Sequence, residues 1–88
     1  MQLTLHIFGK VQNVWYRAST RGVALDLGLK GFARNEKAGE VTIVAIGSQK
    51  NLTKLKKWCE HGPSGAKIKK IKEKWDETEE TFDDFSIL

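Results

Sequence analysis

The chain has 88 residues and a formal net charge of +4, and 40% of its residues are hydrophobic. This length favours one domain over residues 1–88, and the hydrophobic fraction excludes a disordered chain. No stretch approaches the roughly 20 apolar residues of a membrane-spanning helix, so we expect no membrane partner. A single cysteine, Cys59, and a start without a signal-peptide pattern indicate a reduced, cytoplasmic setting.

The charge is unevenly distributed along the second half of the chain. Nine lysines and two acids lie between residues 50 and 74, whereas residues 76–84 hold acids and no base. A basic patch can attract nucleic acid, but the acidic segment would compete for the same lysines. We therefore interpret both segments as solvated surface. The acids of the second segment are Asp76, Glu77, Glu79, Glu80, Asp83 and Asp84.

The first two predicted elements are a strand and a helix. Leu3, Leu5 and Ile7 alternate with other residues, which is the period of a strand. A helix is predicted over about residues 18–27. Gly22 lowers the stability of this helix by roughly 1 kcal/mol relative to alanine, so we expect close packing at that position.

A hairpin and a second helix follow. Strands are predicted over residues 29–35 and 40–47, the second of them rich in β-branched residues, with residues 36–39 as the loop between them. Ser48 is a favourable N-cap for the helix that follows. The pair Gly62-Pro63 then ends this helix.

The last elements complete a sheet. A strand is predicted over residues 66–75, and the spacing from Ile68 to Ile71 breaks strict alternation, which indicates a β-bulge. Phe85 and Ile87 indicate a short closing strand. The order strand, helix, strand, strand, helix, strand predicts an α+β, ferredoxin-like βαββαβ sandwich, with two helices on one face of a four- to five-stranded antiparallel sheet.

The connection between the first strand and the first helix predicts an anion site. A loop that opens a helix directs free backbone N–H groups at one place, and the helix dipole favours a negative charge there. Arg17 adds a planar guanidinium that matches two phosphate oxygens. A cation in the first turn of a helix is unfavourable by itself, which favours an anionic partner for Arg17.

The segment Gly9-Lys10-Val11-Gln12-Asn13-Val14-Trp15-Tyr16-Arg17 resembles the signature loop of the acylphosphatases, Gly-x-Val-Gln-Gly-Val-x-Phe/Tyr-Arg. A second block of that family resembles Gly31-Phe32-Ala33-Arg34-Asn35 with the following Gly39-Glu40-Val41. A third similarity is Gly62-Pro63 before residues 66–68. The resemblance covers essentially the whole chain, and two blocks at the right separation are far more specific than either one.

The resemblance implies an enzyme that hydrolyses the carboxyl–phosphate bond of a small acyl phosphate to a carboxylate and inorganic phosphate. It implies Arg17 and Asn35 as catalytic residues, the first holding phosphate and the second positioning the attacking water. It implies no metal, no cofactor and no covalent intermediate. We expect a monomer that does not bind nucleic acid. The phosphate cradle that the resemblance implies is Gln12, Asn13, Val14, Trp15, Tyr16 and Arg17.

One departure from the family pattern falls in the implied phosphate cradle, where Asn13 stands in place of the usual glycine. If this position needs a left-handed backbone, asparagine is the next most suitable residue. Its side chain would either crowd the phosphate entrance or donate one more hydrogen bond to the phosphate. Crowding leaves open a catalytically weak anion-binding or regulatory domain on the same fold. A basic nucleic-acid-binding module that uses residues 50–74 is a further alternative, although the paired aromatic residues of RNA-binding sheets are lacking.

Overall fold

The computed structural model describes residues 1–78 and 80–88. Within them, five strands and two helices alternate in the predicted order. None of the helices in this part of the chain is long and apolar enough to cross a membrane. The elements are β1 (Gln2–Lys10), α1 (Tyr16–Asp26), β2 (Lys30–Asn35), β3 (Val41–Ile46), α2 (Gln49–Cys59), β4 (Lys67–Asp76) and β5 (Phe85–Ile87).

The five strands form one sheet in the order β4-β1-β3-β2-β5. The pairs β1–β3, β1–β4 and β2–β3 are antiparallel, whereas β5 lies parallel to β2. The predicted ferredoxin-like sandwich is confirmed, but its last strand departs from the expected antiparallel arrangement. The register explains the direction, because Asp76 at the end of β4 and Lys30 at the start of β2 lie at the same end of the sheet. The chain returns there and pairs Phe85 with Gly31.

The core lies between the sheet and the two helices. The predicted alternation in β1 is confirmed, since Leu3, Leu5 and Ile7 are fully buried. They belong to one cluster with Leu52 and Leu55 of α2. Burial of an aliphatic side chain of this size contributes about 1.5–3 kcal/mol, so this cluster fixes how the helices lie on the sheet.

The predicted β-bulge is present in β4. Phe8 pairs with Lys70 and Gly9 pairs with Ile68, so Lys69 is the extra residue. Gly9 has a φ of 130°, and a Cβ atom there would collide with the carbonyl oxygen of Lys67. Glycine is therefore required at this close approach of β1 to β4, just before the chain leaves the sheet.

The observed starts of the two helices agree only in part with those predicted from the sequence. The Ser48 hydroxyl accepts a hydrogen bond from the Asn51 amide at 3.2 Å, which confirms the predicted N-cap of α2. The first helix begins at Tyr16, two residues before its predicted start. The expectation of close packing at Gly22 is wrong, because a Cβ atom there would meet, among the described residues, no atom within 4 Å apart from its chain neighbours and the nearby backbone of its own helix.

The acidic segment contacts neighbouring basic residues at its two ends. Asp76 lies 3.9 Å from the Lys74 ammonium, and Asp84 lies 3.5 Å from the Arg21 guanidinium. Glu79 lies outside the described residues. Exposed pairs of this kind contribute about 0–1 kcal/mol, which agrees with the interpretation of a solvated surface.

Candidate active site

Three separate segments of the chain meet at one end of the sheet. The loop that follows β1 begins after Lys10, and Asn35 ends β2. The register places Asn35 opposite Val41, which is itself opposite Ile7 near the end of β1. On the outer side of β2, Ile87 pairs with Ala33. The strand order thus brings together residues that are far apart in the sequence.

A cavity of about 450 Å³ opens at this end of the sheet. Its size falls within the range of small-molecule sites. Five of the seven predicted site residues line it, which brings the predicted loop, Arg17 and Asn35 to one place. The lining residues are Val11, Asn13, Trp15, Tyr16, Arg17, Ala18, Asn35 and Ile87.

Gln12 and Val14 are the two predicted residues that do not line the cavity. The Gln12 amide nitrogen donates hydrogen bonds to the carbonyl oxygens of Glu36 and Glu40, at 2.8 and 3.0 Å. Val14 is half-buried and packs against the core. Their side chains therefore attach the loop to the rest of the fold, and Gln12 ties it to the hairpin directly after Asn35.

The loop contains two left-handed residues that are not glycine. Asn13 has a φ of 62° and Trp15 a φ of 63°. Asparagine tolerates this conformation, as the sequence suggested, but for a bulky side chain it is a strained exception. Left-handed residues within a short loop turn successive backbone N–H groups toward one side, which makes a concave anion site.

The N-terminus of α1 faces the same cavity. Trp15 is the N-cap and, among the described residues, no side chain caps the first turn, which also contains no acid. The first backbone N–H groups of a helix have no partner within the helix. Those of Tyr16, Arg17 and Ala18 are therefore free to bind an anion, and the helix dipole favours one there.

Arg17 is held in this turn by the other end of the chain. Its Nη1 atom donates a 2.7 Å hydrogen bond to the carbonyl oxygen of Leu88. A guanidinium has five N–H donors, so this bond leaves others for a ligand. One turn further along α1, the Nε atom of Arg21 donates to the Phe85 carbonyl oxygen at 2.8 Å. The two arginines thus fasten β5 beside the cavity.

Tyr16 anchors the start of α1 in the core. It is only 2% exposed, and its hydroxyl donates a 2.7 Å hydrogen bond to the Cys59 carbonyl oxygen. Burial, with a smaller contribution from Cys59, raises the pKa of the Tyr16 phenol well above its ordinary value. Gly62 packs so closely on the ring that a Cβ atom would lie 2.6 Å from Tyr16 Cε2. Tyr16 is thus a neutral structural donor and not a proton-transfer group.

Asn35 lines the cavity and carries an unusual polar atom. Its side-chain oxygen Oδ1 is buried, and no group among the described residues donates a hydrogen bond to it. Leaving a buried acceptor without a partner costs about 1–3 kcal/mol. Such an atom is a reason to look for a small donor that binds beside it.

Two of the residues around this site have no functional signal in the sequence. Ile87 was predicted only as part of a strand, and Arg21 was not singled out. Each is placed by a contact with a segment at least 50 positions away. Ile87 pairs with Ala33 of β2, and Arg21 of α1 donates to Phe85 of β5. The spacing of Arg17 and Arg21 places them on one helix face, which is the only local sign of their shared role.

A comparison with protein families gives a match to the family described as Acylphosphatase over residues 3–87. The chain is 42% identical to an acylphosphatase of Pyrobaculum calidifontis over 86 residues, which covers 94% of this chain and 78% of that protein. It is 51% identical to an acylphosphatase of Synechococcus sp. strain CC9311 over 65 residues, which covers 74% of this chain and 72% of that protein.

Solved structures show the same similarity. An acylphosphatase from Bacillus subtilis superposes with a TM-score of 0.96 at 26% identity, covering 99% of this chain and 97% of the other. One from Coxiella burnetii gives a TM-score of 0.92 at 30% identity, covering 99% and 90%. Both similarities extend over the loop after β1 and the end of β2.

Proposed function

Since this chain belongs to the acylphosphatase family, whose members are hydrolases that act on acid anhydrides, we propose that its cavity hydrolyses the carboxyl–phosphate bond of acyl phosphates. The products are a carboxylate and inorganic phosphate. The phosphoryl group is held by the loop of residues 12–17 and by Arg17. Asn35 positions the attacking water. No metal ion and no covalent intermediate take part.

The phosphate end of this proposal is supported by a convergence of positive groups. The uncapped first turn of α1, the left-handed backbone at Asn13 and Trp15, and the guanidinium of Arg17 all adjoin one cavity. Arg17 matches a phosphoryl group because its planar donors bind two oxygens at once. These donors are fixed before the substrate arrives, so they stabilise developing charge without a cost of reorganisation.

The observation that carries the proposal is that Asn35 lines that same cavity while its buried Oδ1 atom accepts no hydrogen bond from the described residues. A neutral amide oxygen can accept a hydrogen bond from a water and orient it toward the phosphorus atom without acting as a base. The hydrogen bond to the water would also satisfy the orphaned oxygen. In this proposal one water has two roles, as the donor that Oδ1 lacks and as the nucleophile.

The proposed hydrolysis needs few groups beyond the phosphate-binding loop, Arg17 and Asn35. Water attacks phosphorus, the bond between phosphorus and the acyl oxygen breaks, and the carboxylate leaves with the bond's electron pair. The water's proton passes to a phosphate oxygen. Phosphoryl transfer depends mainly on positioning and charge stabilisation. This fits a cavity whose lining contains no histidine, aspartate, glutamate or cysteine among the described residues.

A catalytically weak anion-binding domain is the second candidate. It is favoured by one observation, the exposed Asn13 side chain in the lining of the cavity where the family pattern has glycine. Such a domain would bind phosphate through the same loop but would turn over slowly, because the amide group crowds the entrance.

Release of inorganic phosphate from a synthetic acyl phosphate distinguishes the two. We expect the protein to release phosphate well above the spontaneous rate, with competitive inhibition by inorganic phosphate. Binding of inorganic phosphate without hydrolysis of the acyl phosphate would support the anion-binding domain instead.

A further inference from the structure

Trp15 is an unusual residue for the position it occupies. It is 79% exposed, lies in the lining of the cavity, and has the left-handed φ of 63°. A bulky non-glycine residue held in this conformation is strained, and such strain concentrates at ligand sites. An exposed indole contributes little to the core, so a packing role does not explain why it is held there.

Ile87 brings a second apolar side chain to the same cavity. It is 43% exposed, although it lies in a strand paired with Ala33 of β2. The next residue, Leu88, fixes its position twice, because its amide donates to the Ala33 carbonyl at 2.9 Å and its carbonyl accepts from Arg17 at 2.7 Å. The Ile87 side chain is thereby held beside the arginine that we assign to phosphate.

The cavity is therefore divided in character. Its polar groups are the loop N–H groups, Asn13, Arg17 and Asn35, and its large exposed apolar side chains are Trp15 and Ile87. Its volume of about 450 Å³ is larger than a phosphoryl group needs and is enough for a small organic molecule. A ligand with one anionic and one apolar end matches this division.

We infer that Trp15 and Ile87 form an apolar wall that receives the acyl group of the substrate. The wall makes this chain selective for acyl phosphates with a bulky apolar acyl group, aromatic or branched, over acetyl phosphate. The inference rests on the proposed function, since it assigns the part of the cavity that the phosphoryl group leaves free. Burial of the acyl group against an indole and an aliphatic side chain supplies the selectivity.

The test compares two substrates across variants. The specificity constant kcat/KM is measured for benzoyl phosphate and for acetyl phosphate, and the first value is divided by the second. Comparing this ratio between wild type and variant cancels the difference in intrinsic reactivity of the two substrates. In Trp15→Gly, the glycine accepts the left-handed backbone while the indole is lost. We expect the ratio to fall about tenfold, the scale of a lost apolar contact in a specificity pocket.

Two further variants sharpen the comparison. Ile87→Ala should lower the ratio by about threefold, because it removes a smaller side chain from the same wall. Leu25→Ala is the matched control, since Leu25 is 42% exposed on α1 but does not line the cavity. It should leave the ratio unchanged. A Trp15→Gly variant that loses activity equally on both substrates would show a loosened loop and would overturn the inference.

A binding measurement separates this inference from the proposed function. The dissociation constants of benzylphosphonate and methylphosphonate, which are not hydrolysed, are measured by calorimetry for wild type and Trp15→Gly. Tighter binding of benzylphosphonate by wild type, reduced in the variant, supports the wall even if neither acyl phosphate is turned over, in which case only the proposed hydrolysis fails. Equal binding of the two phosphonates by wild type, or binding of neither, overturns the wall.

Discussion

The guanidinium of Arg17 donates a 2.7 Å hydrogen bond to the backbone carbonyl oxygen of Leu88, 71 positions later in the chain. A cation in the first turn of a helix is disfavoured by the helix dipole, so it needs compensation there. The carbonyl oxygen supplies part of it and also fixes the direction of the side chain. The arginine is therefore oriented without a ligand, which is the condition for effective charge stabilisation in the site that we propose.

Asn35→Ala should lower kcat by about 10²–10³-fold, the scale of losing one preoriented polar group, with little change in the inhibition constant of inorganic phosphate. The reason is that Asn35 is assigned to the water and not to the phosphate. Steady-state hydrolysis with phosphate as competitive inhibitor measures both quantities. Equal losses of turnover and of phosphate binding would contradict a water-positioning role.

The same variant should fold normally. The Oδ1 atom of Asn35 accepts no hydrogen bond from the described residues, so its removal breaks none that the structure contains. We expect the free energy of unfolding in urea to change by less than about 1 kcal/mol. If the loss of stability is larger, the reduced kcat of Asn35→Ala results from a damaged fold and is no evidence for a water-positioning role.

Asn13→Gly should preserve or raise kcat/KM for an acyl phosphate. Glycine adopts the φ of 62° found at this position without strain, and it removes an exposed amide from the cavity lining. The measurement is steady-state hydrolysis by both proteins at the same pH. A large loss in the variant would show that the Asn13 amide takes part directly, and the assignment of this residue as a tolerated replacement for glycine would be wrong.

The sequence predicted the architecture well because the relevant signals are local. Alternation of apolar residues marked β1, the Ser48 hydroxyl marked the start of α2, and broken alternation marked the bulge opposite Phe8 and Gly9. Each depends on a few neighbouring residues whose spacing has one favourable structure. The parallel direction of β5 has no such signal, since it depends on where the chain re-enters the sheet.

The candidate site was predictable only in part for a similar reason. The loop motif and Asn35 were identified through the resemblance to a family, and the fold brings them to one cavity. The left-handed backbone of Trp15 contradicts the ordinary preference of a bulky residue, so local propensity cannot predict it. The place of Ile87 in the cavity wall likewise follows from a long-range strand pairing.

Tyr16→Phe should lower the free energy of unfolding by about 1–3 kcal/mol, because the buried Cys59 carbonyl oxygen loses its 2.7 Å donor. Urea denaturation at neutral pH measures this. Thr53→Val is the matched control: its hydroxyl also donates to a backbone carbonyl, at 2.8 Å, but on the exposed side of α2, and it should change stability by less than about 0.5 kcal/mol. Equal effects of the two substitutions would show that Tyr16 does not anchor α1.

Turnover should be insensitive to metal chelators. In the proposed mechanism Arg17, the loop N–H groups and the helix dipole supply the positive charge that a metal ion would otherwise provide. The check is the rate of phosphate release before and after extensive dialysis against EDTA, with added Mg²⁺ in a parallel sample. A rate that falls on dialysis and returns with the metal would overturn the metal-free mechanism.

Hydrolysis of an acyl phosphate by wild type, Arg17→Gln and Lys54→Gln tests the proposed site most directly. Lys54 is exposed on α2 and does not line the cavity, so its substitution removes the same charge elsewhere on the surface. Wild type and Lys54→Gln should release phosphate at similar rates, whereas Arg17→Gln should be slower by about 10²–10³-fold, which corresponds to roughly 2.7–4 kcal/mol. No phosphate release above background by wild type, or full activity of Arg17→Gln, would contradict the assignment of this cavity as an acylphosphatase active site.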